Sequence, residues 1–174
     1  AITFWKEFAV AERGLSDAQV GGSLTIAAVC SLPLIFSVGR LLDRLGRRRG
    51  ALLIFVAGAA GIALAYTLHG QGPLTAALVF ALFGVTAVMP VVSAYTTELF
   101  PTELRSDAYA WSNNLLGRFG YVASPLLVGV LAQRTSWSLA VASTASFLIL
   151  AVALILARFP ETRGRELEDT SALQ

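Results

Sequence analysis

Residues 74–97, LTAALVFALFGVTAVMPVVSAYTT, run for 24 positions without a charged side chain. A helix needs about 20 mainly apolar residues to cross the hydrocarbon core of a bilayer. Four further runs have the same character: 20–38, 51–68, 115–132 with one charge, and 136–157. Together they predict an all-α membrane protein with spans at about 18–39, 51–69, 73–97, 107–132 and 136–158, and residues 1–10 predict the outer stump of another helix.

The composition supports a membrane protein and excludes several other classes. Apolar residues make up 56% of the 174 positions and charged residues 14%, against about 25% charged in an average soluble domain. One cysteine, Cys30, and one histidine, His69, exclude a disulfide scaffold and a histidine-cluster metal centre. We therefore expect no cofactor and no metal, and, without a His–Asp pair or a buried carboxylate pair, no enzyme active site.

The basic residues predict the orientation of the spans. The segments between spans alternate sides of the bilayer, and Lys6, Arg13 and Arg134 fall on one side. The other ten basic residues fall on the opposite side: Arg40, Arg44, Arg47, Arg48, Arg49, Arg105, Arg118, Arg158, Arg163 and Arg165. This bias predicts that a loop over 39–50, residues 98–106 and a tail over 159–174 are cytoplasmic. Since these arginines lack interleaved aromatic residues, no nucleic-acid partner is expected.

The segment that joins the first two full spans carries the most informative motif. It reads GRLLDRLGRRR over residues 39–49 and resembles the G-x-L-x-D-R-x-G-R-R loop of the major facilitator superfamily. Gly39 would let backbones approach, and Gly46 would permit a tight turn. Asp43 is an anion that could face the N-terminus of a neighbouring helix.

Two further segments strengthen the resemblance. ELFPTELR over 98–105 resembles the segment between helices ten and eleven of that family, and PETRGRELE over 160–168 resembles the tail that follows helix twelve in its sugar porters. Their order implies the C-terminal six-helix bundle of a twelve-helix fold, with helix seven incomplete. The implied cytoplasmic gating residues are Gly39, Asp43, Arg44, Gly46, Arg47, Arg48, Glu98, Pro101, Glu103, Arg105, Arg118, Glu161 and Arg163.

The resemblance also implies secondary transport by alternating access between two bundles. The chain opens with Ala1, so we expect it to begin inside a longer protein with its own N-terminal six-helix half. We expect Glu98 or Glu103 to pair with Arg44, Arg47 or Arg48 as a cytoplasmic latch, and Asp43 to face the N-terminal bundle.

The expected activity is proton-coupled symport of a small organic acid or similar metabolite in a bacterial inner membrane. A sugar or polyol porter, or a receptor that no longer transports, are the alternatives. No Asp or Glu falls in the middle of a full span. The proton site of a symporter would therefore lie in the N-terminal half.

Polar residues inside two spans are candidates for the solute path. Regular α-helical spacing would place Trp111, Asn114, Arg118, Tyr121 and Pro125 on one face. Arg118 could form an ion pair with the N-terminal half, bind a substrate carboxylate, or snorkel to the interface. The preceding span offers a second candidate face, which either lines a cavity or packs against a helix: Thr86, Met89, Pro90 and Ser93.

Two local patterns predict structure without chemistry. The spacing A-x-x-x-G-x-x-x-A around Gly61 predicts a stripe where helices pack closely. Trp5 predicts an anchor in the aromatic belt at the outer interface, beside a local pair of Lys6 with Glu7.

Overall fold

A computed structural model of the chain describes residues 2–162. Within this range the chain is helical and has no strand. Five helical stretches are long and apolar enough to cross a membrane: Asp17–Leu45, Arg47–Thr67, Gln71–Leu99, Arg105–Arg134 and Trp137–Arg158. The prediction of an all-α membrane protein is thereby confirmed. Of the predicted tail over 159–174, residues 163–174, with Arg163, lie outside the described residues.

The helices follow one another with short connections. A 3-10 turn over Ile2–Phe4 comes first, and a π-helical segment over Ala110–Leu116 lies inside the fourth long stretch. The α-helices are α1 (Trp5–Ala11), α2 (Asp17–Leu45), α3 (Arg47–Thr67), α4 (Gln71–Leu99), α5 (Arg105–Tyr109), α6 (Gly117–Arg134), α7 (Trp137–Ala142) and α8 (Ala145–Arg158).

The expected loop over 39–50 is wrong, because only Gly46 lies outside a helix there. Its φ of 92° with ψ of 158° is a conformation that essentially only glycine adopts. The chain can therefore reverse direction at a single residue. The arginines before and after Gly46 belong to helices that continue past their apolar segments. Spans predicted from hydropathy alone are therefore shorter than the helices.

Helix α3 is the axis of the bundle, with α2, α4, α7 and α8 packed around it. Its closest neighbour is α4, at a crossing of two glycines. A Cβ atom on Gly84 would lie 2.2 Å from the Cα of Gly58, so neither position has room for a side chain. A Cβ atom on Gly61 would lie 2.4 Å from the backbone nitrogen of Ala81. The predicted close-packing role of Gly61 is therefore confirmed.

The N-terminal segment belongs to the core and does not anchor at the interface. Trp5 is fully buried and, with Phe8 and Tyr66, joins the apolar cluster at the end of the bundle where α3 finishes. The aromatic-belt prediction for Trp5 is wrong, because α1 folds back over this end of the bundle. Lys6 pairs with Asp17 at 3.0 Å, not with Glu7.

Candidate functional site

The arginine-rich end of the bundle is organised around one side chain, that of Arg47. Its Nε atom donates to Glu98 at 2.7 Å and its Nη1 atom donates to Asp43 at 2.5 Å. The Arg47 and Glu98 side chains are only 20% and 14% exposed. This ion pair ties the start of α3 to the end of α4, and it is one of the pairs that the sequence analysis anticipates.

Glu161 holds the first turn of α3 through its carboxylate. The backbone N–H groups of Arg47 and Arg48 donate to it at 2.7 and 3.2 Å. These groups have no partners within the helix, and the positive end of the helix dipole favours an anion there. The Thr162 hydroxyl donates to Glu98, so the segment after α8 contacts both residues of the Arg47–Glu98 ion pair.

Asp43 was expected to be able to face the N-terminus of a neighbouring helix, but the anion at the start of α3 is Glu161. Asp43 lies in the last turn of α2, where its carboxylate pairs with Arg47, the first residue of α3, and its side chain stays 67% exposed. A Cβ atom on Gly46 would lie 2.5 Å from a carboxylate oxygen of Glu161. The missing side chain at Gly46 therefore makes room for the carboxylate.

Of four other predicted gating residues, two donate to backbone carbonyls and two form no ion pair. Arg48 donates to the carbonyl of Leu156 at 2.5 Å, and Arg105 donates to the carbonyl of Phe100 at 3.0 Å. Arg44 and Glu103 are exposed and form no ion pair with any residue between 2 and 162.

Two residues chosen for backbone reasons have different surroundings. A Cβ atom on Gly39 would meet nothing within 4 Å, so the predicted close backbone approach does not occur among the described helices. Pro101 begins the turn after α4, where its carbonyl accepts from the N–H of Leu104 at 2.9 Å.

A polar cavity of about 480 Å³ lies between α4 and the stretch 110–134. It brings together four of the candidate solute-path residues: Met89, Asn114, Arg118 and Tyr121. Asn113 and Val122 complete the lining. Arg118 forms no ion pair with another described residue, so its guanidinium is free to bind an anionic group.

The π-helical segment explains why Trp111 does not share a face with Asn114 and Arg118, as regular α-helical spacing would require. A π-helix closes i→i+5 hydrogen bonds, so residues inside it drift away from the α-helical register. Trp111 lies in this segment, is 62% exposed and does not line the cavity, whereas Asn113 does. The assumption of regular α-helical spacing from Trp111 onward is wrong for that reason. Asn113 is also held by Tyr109, since its amide donates to the phenol oxygen at 3.3 Å.

Three α4 residues that were expected beside the cavity lie on the same exposed face without lining it: Thr86, Pro90 and Ser93. Helix α4 therefore presents a partly polar face that no described helix covers. Polar groups inside a membrane span are costly against lipid and normally face protein or water. The face and the cavity therefore define one side of the bundle as distinct from its apolar, lipid-compatible surface.

Two charged residues at the opposite end of the bundle, Glu12 and Arg13, make backbone contacts that were not predicted from the sequence. Glu12 accepts from the backbone N–H groups of Trp137 and Ser138, at 2.5 and 3.3 Å, at the start of α7. Arg13 donates to the carbonyl of Leu68 at 3.1 Å, where α3 ends. No motif marked these contacts, because the partners are 125 and 55 residues apart in the chain.

Five apolar helices with an ion-paired end and an open polar cavity define an integral membrane protein of the helical-bundle class. Residues 1–173 match the family model of the Major Facilitator Superfamily, and the chain belongs to this family. The predicted membership of this family is thereby confirmed.

The relatives of the chain are named as transporters or solute carriers. It is 32% identical over 94% of its length to the "Putative niacin/nicotinamide transporter NiaP" of Bacillus subtilis (strain 168). It is 30% identical over 88% of its length to the "Organic cation/carnitine transporter 2" of Arabidopsis thaliana. It is 34% identical over 95% of its length to the human "Solute carrier family 22 member 12". These names support the prediction that the chain is not an enzyme.

The chain spans less than half the length of these relatives: 41%, 30% and 31% respectively. No solved structure matches it.

Proposed function

We propose that this chain forms one wall of the solute path in a secondary carrier that works by alternating access. The observation that carries the proposal is the polar cavity of about 480 Å³ beside α4, open on the side that no described helix covers. A second six-helix half on that side would enclose the cavity near the middle of the membrane, as in two-bundle carriers. The coverage of 41% of the niacin/nicotinamide relative is consistent with such a half.

The proposed solute is a small organic molecule that carries a carboxylate. Arg118 is the charged group of the cavity, and the amides of Asn113 and Asn114 and the hydroxyl of Tyr121 can complete hydrogen bonding around a planar acid. Arginine binds carboxylates through two parallel N–H donors, which adds geometric specificity to the charge. The names of two relatives, with niacin and carnitine, are compatible with this class.

We further propose that the arginine-rich end faces the cytoplasm of a bacterial inner membrane and that a proton gradient drives transport. Among residues 2–162, no Asp or Glu lies in the middle of a span. The proton-binding group would therefore belong to the other half of the carrier. The network of Arg47, Asp43, Glu98 and Glu161 would form the inner latch, intact in one state of the cycle and broken in the other.

The carboxylate proposal is tested by a pair of solutes that share one ring. Nicotinate carries a carboxylate and nicotinamide a neutral amide, so the loss of a cation should separate them. In vesicles that contain the full-length carrier, we expect Arg118→Gln to lower nicotinate uptake about tenfold and to leave nicotinamide uptake within about twofold. Arg134→Gln, which removes a cation at the opposite end, is the matched control.

An equal loss of both solutes in Arg118→Gln would contradict carboxylate binding and favour an ion pair with the other half. The same vesicles test the driving force. A proton ionophore should abolish accumulation of nicotinate above its external concentration, and accumulation that survives the ionophore would rule out proton coupling.

The latch is tested by Asp43→Asn. This change removes the charge that pairs with Arg47 at 2.5 Å but keeps the size of the side chain. We expect uptake to fall while the amount of carrier inserted in the membrane stays unchanged, since an exposed ion pair contributes little to stability. Asp17→Asn at the opposite end is the control, and wild-type uptake by Asp43→Asn would overturn the latch.

A further inference from the structure

An apolar groove of about 390 Å³ lies on the other flank of α4, near the arginine-rich end. One wall comes from α4 with Val92 and Leu99, and another from α8 with Ala151 and Leu154. Ala108 of α5 belongs to the lining as well. The groove shares no residue with the polar cavity, so it does not belong to the proposed solute path.

The chemistry of the groove suits hydrocarbon and not a polar solute. The lining includes three hydroxyl-bearing residues, and two of them donate to their own helix: Thr96 to the carbonyl of Val92 at 2.9 Å and Ser112 to that of Tyr109 at 3.2 Å. The Tyr95 hydroxyl is enclosed by protein, and its ring packs edge-on against Phe159 at 4.9 Å. The Tyr95 hydroxyl has no hydrogen-bond partner among the described residues but is buried, so no charged side chain and no exposed hydroxyl donor of the wall faces a ligand.

Two basic residues are next to residues of the lining at the arginine-rich end of the bundle. Arg105 donates to the carbonyl of Phe100, a residue of the lining, at 3.0 Å. Arg158 immediately precedes Phe159, another residue of the lining. Glu98 and Glu161 are the acidic residues nearest the lining residue Tyr95, and both already accept hydrogen bonds from Arg47. Glu103 and Asp107 on the neighbouring segment are exposed.

We propose that this groove binds one acyl chain of an anionic phospholipid whose phosphate lies against Arg105 and Arg158. Two observations support this occupant. The lining offers only hydrocarbon contacts along α4 and α8. Arg105 begins α5 and Arg158 ends α8, where these helices leave the apolar part of the membrane, which is the level of lipid headgroups. Burial of methylene groups and attraction of the phosphate would then act on one molecule.

Native mass spectrometry of the full-length protein in detergent tests the site, with phosphatidylglycerol and phosphatidylcholine of identical acyl chains as probes. Ala151→Trp places an indole in the groove, and Leu150→Trp, one residue away on a side chain that is 56% exposed, is the matched control. We expect Ala151→Trp to lower binding of phosphatidylglycerol about fivefold and Leu150→Trp to change it less than about twofold.

The charged part of the site is tested separately, so that a folding defect in Ala151→Trp does not leave the proposal undecided. The double variant Arg105→Gln/Arg158→Gln should lose the preference for phosphatidylglycerol, about threefold or more in the wild type, and keep binding of phosphatidylcholine. Glycerol phosphate, which has the charge and no chains, should not compete with the lipid. Equal binding of the two lipids by the wild type, or full competition by glycerol phosphate, would overturn the proposal.

Discussion

Helix α3 and the stretch Arg105–Arg134 are both apolar enough to span a membrane, yet α3 is largely buried in the bundle and the other stretch is largely exposed. In the most apolar 18-residue window of α3, 56% of the residues are buried, against 6% in the window of Arg105–Arg134. Glycines at the contact points allow the backbone of α3 to pack directly against the backbone of α4. The other stretch has bulky exposed side chains, such as Phe119 and Val122, and a charged residue, Arg118.

The difference shows that hydropathy decides which segments enter the membrane, whereas side-chain size and polarity decide where they lie in the bundle. Within a bilayer, helices gain little from hydrophobicity against one another, because lipid is equally apolar. Close packing therefore selects small residues, and α3 has them on the side that faces α4. A span with large side chains and a charged residue lies instead at a surface that meets water, lipid or another protein.

The largest expected effect comes from filling the glycine crossing. A Cβ atom on Gly84 would lie 2.2 Å from the Cα of Gly58, and a backbone atom cannot rotate away. We expect Gly84→Val to destabilise the protein by more than about 3 kcal/mol, or to prevent folding. The measurement is thermal unfolding in detergent, with size-exclusion chromatography to detect aggregation.

The matched control for this variant lies in α6. A Cβ atom on Gly120 would meet nothing within 4 Å, so Gly120→Val should leave the unfolding temperature within a few degrees of the wild type. If the two valine variants unfolded alike, close packing would not distinguish α3 from the stretch Arg105–Arg134.

A smaller effect is expected where α3 begins, at Gly46. Alanine there would have to adopt φ of 92° and would bring its Cβ atom to 2.5 Å from the carboxylate of Glu161. We expect Gly46→Ala to cost about 1–3 kcal/mol of unfolding free energy. Gly14 has φ of 65° with nothing within 4 Å, so Gly14→Ala measures the cost of a positive φ without a clash, about 1 kcal/mol, and sets a lower bound for the conformational part at Gly46.

The losses of unfolding free energy in these two alanine variants test whether the carboxylate of Glu161 is held beside Gly46. If Gly46→Ala costs no more than Gly14→Ala, the carboxylate of Glu161 is not fixed at the start of α3. Measured in a Glu161→Ala background, Gly46→Ala should cost less than in the wild type, and the difference is the part of the loss that comes from the clash.

Much of this organisation could be predicted from sequence, and the missing parts have identifiable causes. Uninterrupted apolar runs predicted five spans, and the motif around Arg47 led to its pair with Glu98. The position of Glu161 could not be inferred, because no local pattern shows that a residue after the last span reaches a helix 114 positions earlier. The register beyond Trp111 failed because the sequence does not reveal a π-helical segment.

The smallest expected effect is the difference in coupling energy between the ion pair at the start of α3 and an exposed ion pair. The side chains of Arg47 and Glu98 are 20% and 14% exposed, whereas those of Lys6 and Asp17 are 61% and 79% exposed at a similar distance. Water and salt screen the second pair, and ordering two long side chains offsets its attraction. A double-mutant cycle with Arg47→Gln and Glu98→Gln should give a coupling of about 1–2 kcal/mol that changes little with added salt. The cycle with Lys6→Gln and Asp17→Asn should give no measurable coupling, and equal couplings would show that burial at the start of α3 does not strengthen its ion pair.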